Sequence, residues 1–274
     1  MNRAKLYCRL PFLVVTCLLS AACATTGVDR DSAPSRTVDV TSIPDAVPRD
    51  EPRSRYGNPA SYEVFGQRYY VMESSKGYVE RGIASWYGTK FHGKRTSSGE
   101  SYDMYAMTAA HKTLPLPTYV EVTNLENRKT VVLRVNDRGP FHDNRIIDLS
   151  YTAATKLGIV AKGTGLVEVR AITSPGDYAG TRRTEPTLRT VSTGQPGLPF
   201  YIQVGAFSDL VNAEKLRARV SVVGDALVKI NQAAVAGKTL YRVRIGPLAS
   251  VENADHIVNQ LVQIGIQDHH IVTD

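Results

Sequence analysis

The sequence predicts a mostly-β domain of the small-barrel kind over residues 78–173, then an α+β domain over 199–274. Three observations carry this. Short runs rich in β-branched and aromatic residues alternate with turn sequences in the first segment. An internal repeat organises the second. Stretches rich in Pro, Ser, Asp and Arg, without apolar periodicity, precede the first segment and separate the two.

In the first segment GIASWYG, TYVEVTN, TVVLRVND, RIIDLS and GLVEVRAI read as strands, with NLENRK and DRGPFHDN as turns. SYTAATKL reads as the helix, with Ser150 as N-cap and Gly158 as its stop. Many short strands with one or two helices suggest a closed barrel. In the second segment Gly205 aligns with Gly246 at an offset of 41, so that VGAFSDLVNAE faces IGPLASVENAD. Each copy is a strand running into an amphipathic helix, with Leu210, Ala213, Leu216 and Val220 on one and Val251, Ala254, Ile257 and Leu261 on the other. ALVKINQ and HHIVT supply the remaining strands of a ferredoxin-like βαββαβ pattern. Strand parity turns Ile202, Val204, Val243 and Ile245 towards the helices. Tyr201, Gln203, Arg242 and Arg244 then share the other face, which a two-layer domain leaves to solvent. That face is either a platform for sugars and anions or a merely solvated surface.

The ends set the compartment. MNRAKLYCR carries Arg3, Lys5 and Arg9 and no acid; the apolar LPFLVVTCLL and the small residues SAAC follow, in secretory order. The apolar run is about ten residues, where a spanning helix needs about 20. Cys8, Cys17 and Cys23 all lie in this leader, which excludes a disulfide within the mature chain and a Cys-rich metal site. Removing the leader takes three positive charges from a formal net charge of +7. The mild basicity that remains suits an anionic lipid or an acidic wall polymer, and export argues against nucleic acid. Residues 27–60 read as a disordered tether and 174–198 as a linker.

ASWYG, TSSGESYDMYAMTAAHKTLP, VTNLENRKTVVLRVNDRGPF and RIIDLSYTAATKLG resemble the rare lipoprotein A family throughout its six-stranded double-psi β-barrel. FYIQVGAF with YRVRIGPL resembles the SPOR domain that follows the barrel in that family. LSAAC resembles a lipobox, although Ser20 stands where Leu is usual; lipidation of Cys23, after removal of residues 1–22, is expected. The alternative is ordinary cleavage that leaves Cys23 a free thiol. Ala24, in place of the aspartate that retains inner-membrane lipoproteins, implies the outer membrane. The resemblance further implies a lytic transglycosylase that cuts MurNAc–GlcNAc linkages and leaves 1,6-anhydroMurNAc, prefers glycan strands stripped of stem peptides, and works at the division septum. Denuded glycan, a membrane reached through the lipid anchor and divisome proteins are the implied partners. The rival reading is an expansin-like protein that binds the wall without cleaving it. An RNA-binding sheet is disfavoured, because paired aromatics on adjacent strands are lacking.

Such a reaction needs a protonated carboxylic acid, hence an apolar or like-charged setting. Asp148 interrupts Ile146-Ile147 and Leu149 and fits that demand best; its alternative is a helix-capping role. The resemblance carries Glu100, Asp103 and His111 onto the site as well. Asp137, in the turn sequence Asn-Asp-Arg-Gly-Pro, is a further candidate with a good structural explanation of its own. Trp86 and Tyr87 are candidates for stacking on sugar, and Gln203, Arg242 and Arg244 for binding glycan. No ligand spacing recurs among His92, His111 and His142, so neither metal nor cofactor is expected.

Overall fold

The computed structural model describes residues 31–35, 38–142, 144–173, 199–223, 227–235, 237–248 and 250–273. The leader, Cys23 and the 174–198 linker lie outside these residues. Among the described residues no helix is long and apolar enough to cross a membrane.

A short hairpin, β1 (Ser61–Val64) and β2 (Gln67–Tyr70), precedes the barrel. Its turn holds Phe65 and Gly66 at positive φ, the backbone a tight hairpin requires. Six strands then close the barrel: β3 (Val79–Tyr87), β4 (Thr108–His111), β5 (Thr118–Asn124), β6 (Thr130–Asp137), β7 (Arg145–Ser150) and β8 (Gly165–Ile172). Their order is β3-β7-β4-β6-β5-β8, with β3–β7 and β4–β6 parallel and the other contacts antiparallel. Val120, Val122, Leu133, Val135, Ile147, Leu149, Val167 and Val169 fill the barrel, each almost wholly buried. Helix α1 (Tyr151–Leu157) follows β7, capped as expected by the Ser150 side chain and by Gly158 in the left-handed conformation.

Two features depart from the sequence reading. β4 reads Thr-Ala-Ala-His and lacks the β-branched density that marks the other strands, although both its alanines are buried. The segment expected to be disordered, 27–60, is packed on the barrel over its described part. Val40 is buried, Ala46 donates its N–H to the Val132 carbonyl, and Asp45 accepts from the Val132 N–H. Lys156 bridges to Asp45 at 2.8 Å, and Asn58 bonds both the N–H and the carbonyl of Leu116. An extended strap held by scattered main-chain bonds has no periodicity for a sequence reading to detect.

The second domain runs β9 (Phe200–Phe207), α2 (Leu210–Val220), β10 (Val228–Val235), β11 (Lys238–Leu248), α3 (Val251–Gln263) and β12 (His270–Thr273). Its sheet order, β10-β11-β9-β12, is that of a ferredoxin-like fold. Ile202, Val204, Val243 and Ile245 are buried with Ala213, Val220, Val251, Ala254, Ile257 and Leu261 of the helices. The opposite face differs from expectation at one residue. Arg244 is only 8% exposed, its guanidinium over the Tyr201 ring and its Nε donating to Gln203 Oε1. Residue parity gave the side correctly but not the cover supplied by its neighbours.

The two domains touch. Ile83, Leu125 and Leu166 of the barrel join the second domain's apolar cluster. Arg81 Nη1 donates to Thr273 Oγ1 at 3.0 Å, and Asn144 Nδ2 to Asp255 Oδ1 at 3.2 Å.

The strap sets a stability test. Removing 31–60 withdraws Val40 and its neighbours, where one fully buried aliphatic side chain is worth about 1.5–3 kcal/mol. A chain beginning at residue 61 is expected to be less stable to urea by at least about 2 kcal/mol than one beginning at 31. Equal denaturation midpoints would show that the strap only rests on the barrel.

Candidate functional site

Register brings the chemistry together. Ser85 on β3 pairs with Asp148 on β7, Asp148 with Ala110 on β4, and Ala110 with Asp137 on β6. Four neighbouring strands therefore set Ser85, Asp148, Ala110 and Asp137 in one row. The residues flanking Asp148, Ile147 and Leu149, fill the barrel, so the row lies on its outer surface. Ala110 places only a methyl group between the two carboxylates in the row. Gly139, at φ 139°, leaves the second Asp148 oxygen open: even a Cβ there would stop 3.8 Å from Oδ2.

Burial raises the Asp148 pKa above the ordinary carboxylate value. A hydrogen bond from the Ser85 hydroxyl to Oδ1, then the charges of Arg145, His142 and Lys112, oppose that rise. The carboxyl thus has an environment that favours its protonated form and a donor and cations ready for its anion. Tyr87, buried against Tyr102 with ring centroids 4.0 Å apart, has its pKa raised by burial and by the charges of Tyr102, Asp137 and Asp148. Ser150 caps α1, so Asp148 is not needed as the cap.

The other expected residues stand in separate surroundings. Glu100 grips Arg134 Nη1 with both oxygens, at 2.8 and 2.9 Å, and accepts from Asn136 Nδ2 at 2.8 Å. Arg134 also donates to Glu51 of the strap at 2.7 Å. Burial alone would lower the Arg134 pKa, but the two carboxylates outweigh it and raise it. Asp137 Oδ1 accepts from the Ser97 N–H and hydroxyl, each at 2.7 Å, and so anchors the Ser-Ser-Gly-Glu turn beside the row. Asp103 is exposed, accepts from the Tyr105 N–H at 2.9 Å and lies 3.7 Å from His92 Nδ1.

His111 is buried. Its Nδ1 accepts from the N–H groups of Thr113 and Leu114 at 3.1 and 3.0 Å, which assigns the proton to Nε2, donating to the Tyr78 hydroxyl at 2.7 Å. Tyr78 in turn donates to Glu80. Burial, then the charges of Arg138 and Lys112, lower the imidazole pKa to about 3. Both ring nitrogens are engaged in holding the chain where β4 ends, one position along from Ala110.

Trp86 is half-buried, its ring edge-on to Tyr151; Tyr87 is 7% exposed. Neither is an open stacking platform. Gln203 and Arg242 lie half-buried on the second domain's sheet. Sequence reasoning missed Ser85, Glu51, Arg134 and Tyr78. Ser85 lies in the strand ASWYG two places before Tyr87, but only the parallel pairing of β3 with β7 puts it on Asp148.

A closed six-stranded double-psi barrel with a carboxyl-bearing outer row, followed by a ferredoxin-like domain, defines the class of two-domain protein to which the chain belongs. Residues 79–170 match the family model described as lytic transglycolase, and 197–273 match that of the SPOR domain. The endolytic peptidoglycan transglycosylase RlpA of Vibrio cholerae is 40% identical, over 100% of this chain and 98% of its own. That of Pseudomonas aeruginosa strain UCBPP-PA14 is 42% identical, over 81% of this chain and 78% of its own. The crystal structure of the RlpA SPOR domain from Pseudomonas aeruginosa is 31% identical and covers 27% of this chain and 99% of that one, at a TM-score of 0.27. The chain belongs to the RlpA family of endolytic peptidoglycan transglycosylases.

The neutral histidine has a pH consequence. An unfolded histidine takes its proton near pH 6.5, the buried His111 only near 3, so the unfolded state binds more protons between these values. The stability His111 supplies is complete above about pH 6.5 and is lost on acidification towards 3, by up to about 1.4 kcal/mol per pH unit. His111→Gln is expected to be less stable at pH 7.5 and to lose less on acidification. A parallel pH profile for parent and variant, from urea denaturation, would overturn the assignment.

Proposed function

We propose that this chain is an endolytic peptidoglycan transglycosylase in which Asp148 acts first as general acid and then as general base. The observation that supports it best is a buried carboxyl with a raised pKa, its hydroxyl donor on the next strand, in a row open to the barrel's surface. The protonated Asp148 gives its proton to the glycosidic oxygen as the bond from the MurNAc anomeric carbon breaks. The resulting carboxylate, stabilised by Ser85 and the nearby cations, takes the proton from the MurNAc 6-hydroxyl. That oxygen closes on the anomeric carbon, giving the 1,6-anhydro end. No water enters, so a single carboxyl suffices and the two-carboxylate spacing of hydrolases is not required.

The remaining residues have supporting roles in this reading. Glu100 and Glu51 hold Arg134, and Asp137 holds the turn that carries Glu100. His111 fixes the end of β4. Asp103, exposed beside His92, is a candidate for contact with sugar hydroxyls, while Trp86, edge-on to Tyr151, supports the strand that carries Ser85. The sheet bearing Gln203, Arg242 and Arg244 holds denuded glycan through the half-buried amide of Gln203 and guanidinium of Arg242, with Arg244 orienting Gln203. The proposal includes a preference for strands lacking stem peptides, lipidation of Cys23 and a place at the septal cell envelope.

Asp148→Asn keeps the size of the side chain and removes the proton donor. It is expected to cut turnover of denuded glycan by at least about a hundredfold. Mass spectrometry of the parent's products should find anhydroMurNAc ends. A folded Asp148→Asn chain with parental turnover would move the acid elsewhere, and a parent that binds glycan but releases nothing would favour the expansin-like reading. Ser85→Ala gives an independent check. Without the hydroxyl the anion loses a donor, so the Asp148 pKa rises and the alkaline limb of the pH–rate profile moves to higher pH. An unmoved limb would remove Ser85 from the mechanism.

A further inference from the structure

Between the two domains runs a cleft of about 840 Å³, within the roughly 300–1,000 Å³ typical of ligand sites. One wall is barrel, from the first residues of β3, the end of β4 and the end of β8. The other is His269 and the strand β12 that follows it. Its floor is pinned by polar contacts. His269 Nε2 donates to Asn144 Oδ1 at 2.7 Å, Asn144 reaches Asp255, and Arg145 stands 4.0 Å from the same carboxylate.

Two connections give the cleft a function. Ile146, two positions before Asp148 on β7 and on the same outward face, lines it, as does His111, which follows Ala110, the register partner of Asp148; one end therefore lies next to the carboxyl's own strand positions. At the other end His270 and Val272 are the register partners of Gln203 and Tyr201, so they continue the sheet face that carries Arg244. The cleft therefore runs from the strand positions next to Asp148 to the strand beside Gln203 and Tyr201. Its walls carry Arg81, Lys112, Arg145 and Arg170 against Glu80 and Glu168, an excess of cations. Glu168 is shared by Arg81 and Arg170, each at 2.8 Å, so neither arginine is fully neutralised.

We infer that this interdomain cleft is a glycan subsite, which reads the free lactyl carboxylate of a denuded strand as the strand passes between Asp148 and the SPOR sheet. The inference rests on the transglycosylase reading and adds a site to it. A denuded MurNAc carries one carboxylate on an otherwise uncharged sugar backbone, and guanidinium groups bind carboxylates by paired hydrogen bonds. A stem peptide turns that carboxylate into an amide and adds bulk. A cleft shaped to a carboxylate at the lactyl position therefore disfavours a peptide-bearing strand, which has an amide at that position and added bulk beyond it.

The test measures binding without cleavage, in the full mature chain carrying Asp148→Asn. The probes are purified denuded glycan strands and the same strands with their carboxyls blocked as methylamides. Arg170→Glu and Arg170→Gln alter the cleft at an exposed residue whose ion pair is with Glu168 of its own strand, so the contact between domains is left in place. Blocking is expected to weaken binding to the parent at least tenfold, and Arg170→Glu to do so for free strands. In the Arg170→Glu chain blocking should then cost much less than in the parent, with Arg170→Gln intermediate. A blocking penalty of equal size in parent and variants would overturn the cleft and leave the carboxylate to the SPOR sheet. Absence of cleavage by the unaltered enzyme would bear on the catalytic reading instead, since no strand is cut in this measurement.

Discussion

The parallel pairing of β3 with β7 is the constraint on which the rest depends. It sets Ser85 against Asp148, and the antiparallel contact of β7 with β4 then brings Ala110 and Asp137 into line. Strand side chains alternate strictly, so a slip of one residue in β7 would drive Asp148 into the barrel and expose Ile147 and Leu149. The apolar core therefore guards the register, and the register places the acid. Two buried leucine- or isoleucine-sized side chains are worth about 3–6 kcal/mol against exposure, more than enough to forbid the slip.

Electrostatic conditions around that row run in opposite directions on the two faces of β4. Burial raises the Asp148 pKa, while a hydroxyl and cations steady its anion. His111, one residue beyond Ala110, is a base kept from protonating by burial and by neighbouring cations. Charging either group inside the fold opposes its burial. For Asp148 that tension suits the proposed role, in which one carboxyl gives a proton and takes one back. For His111 the tension is resolved by three hydrogen bonds that need no charge.

Legibility in the sequence followed the physics of each element. Strands β3, β5, β6, β7 and β8 are dense in β-branched residues and were plain; β4, with two alanines, was not. The repeat from Gly205 to Gly246 disclosed the second domain because both copies bury the same helix positions. The strap was unreadable, since its contacts are single main-chain bonds spaced too irregularly to leave a pattern. At the site, Asp148 stood out because its neighbours in sequence are apolar, which is a local signal. Ser85 and Glu51 act on partners 63 and 83 residues away, and no local pattern carries a pairing of that kind. Arg244 shows the same limit: alternation gave its face, and the Tyr201 and Gln203 side chains decided its burial.

The strap and the barrel's charged network are one device. Glu51 reaches Arg134 from the strap, Glu100 reaches it from the turn, and burial of the guanidinium would be costly with either carboxylate missing. Glu51 has its own pKa lowered, chiefly by the hydrogen bonds from Arg134, so it remains charged and the link persists across the neutral range. The turn that bears Glu100 is tied at its other end by Ser97 to Asp137, in the row with Asp148. Tension on the chain that precedes the strap would therefore pass through Glu51 and Arg134 to the turn beside Asp148. A lead-in that looks like a passive tether in sequence is mechanically continuous with the edge of the site.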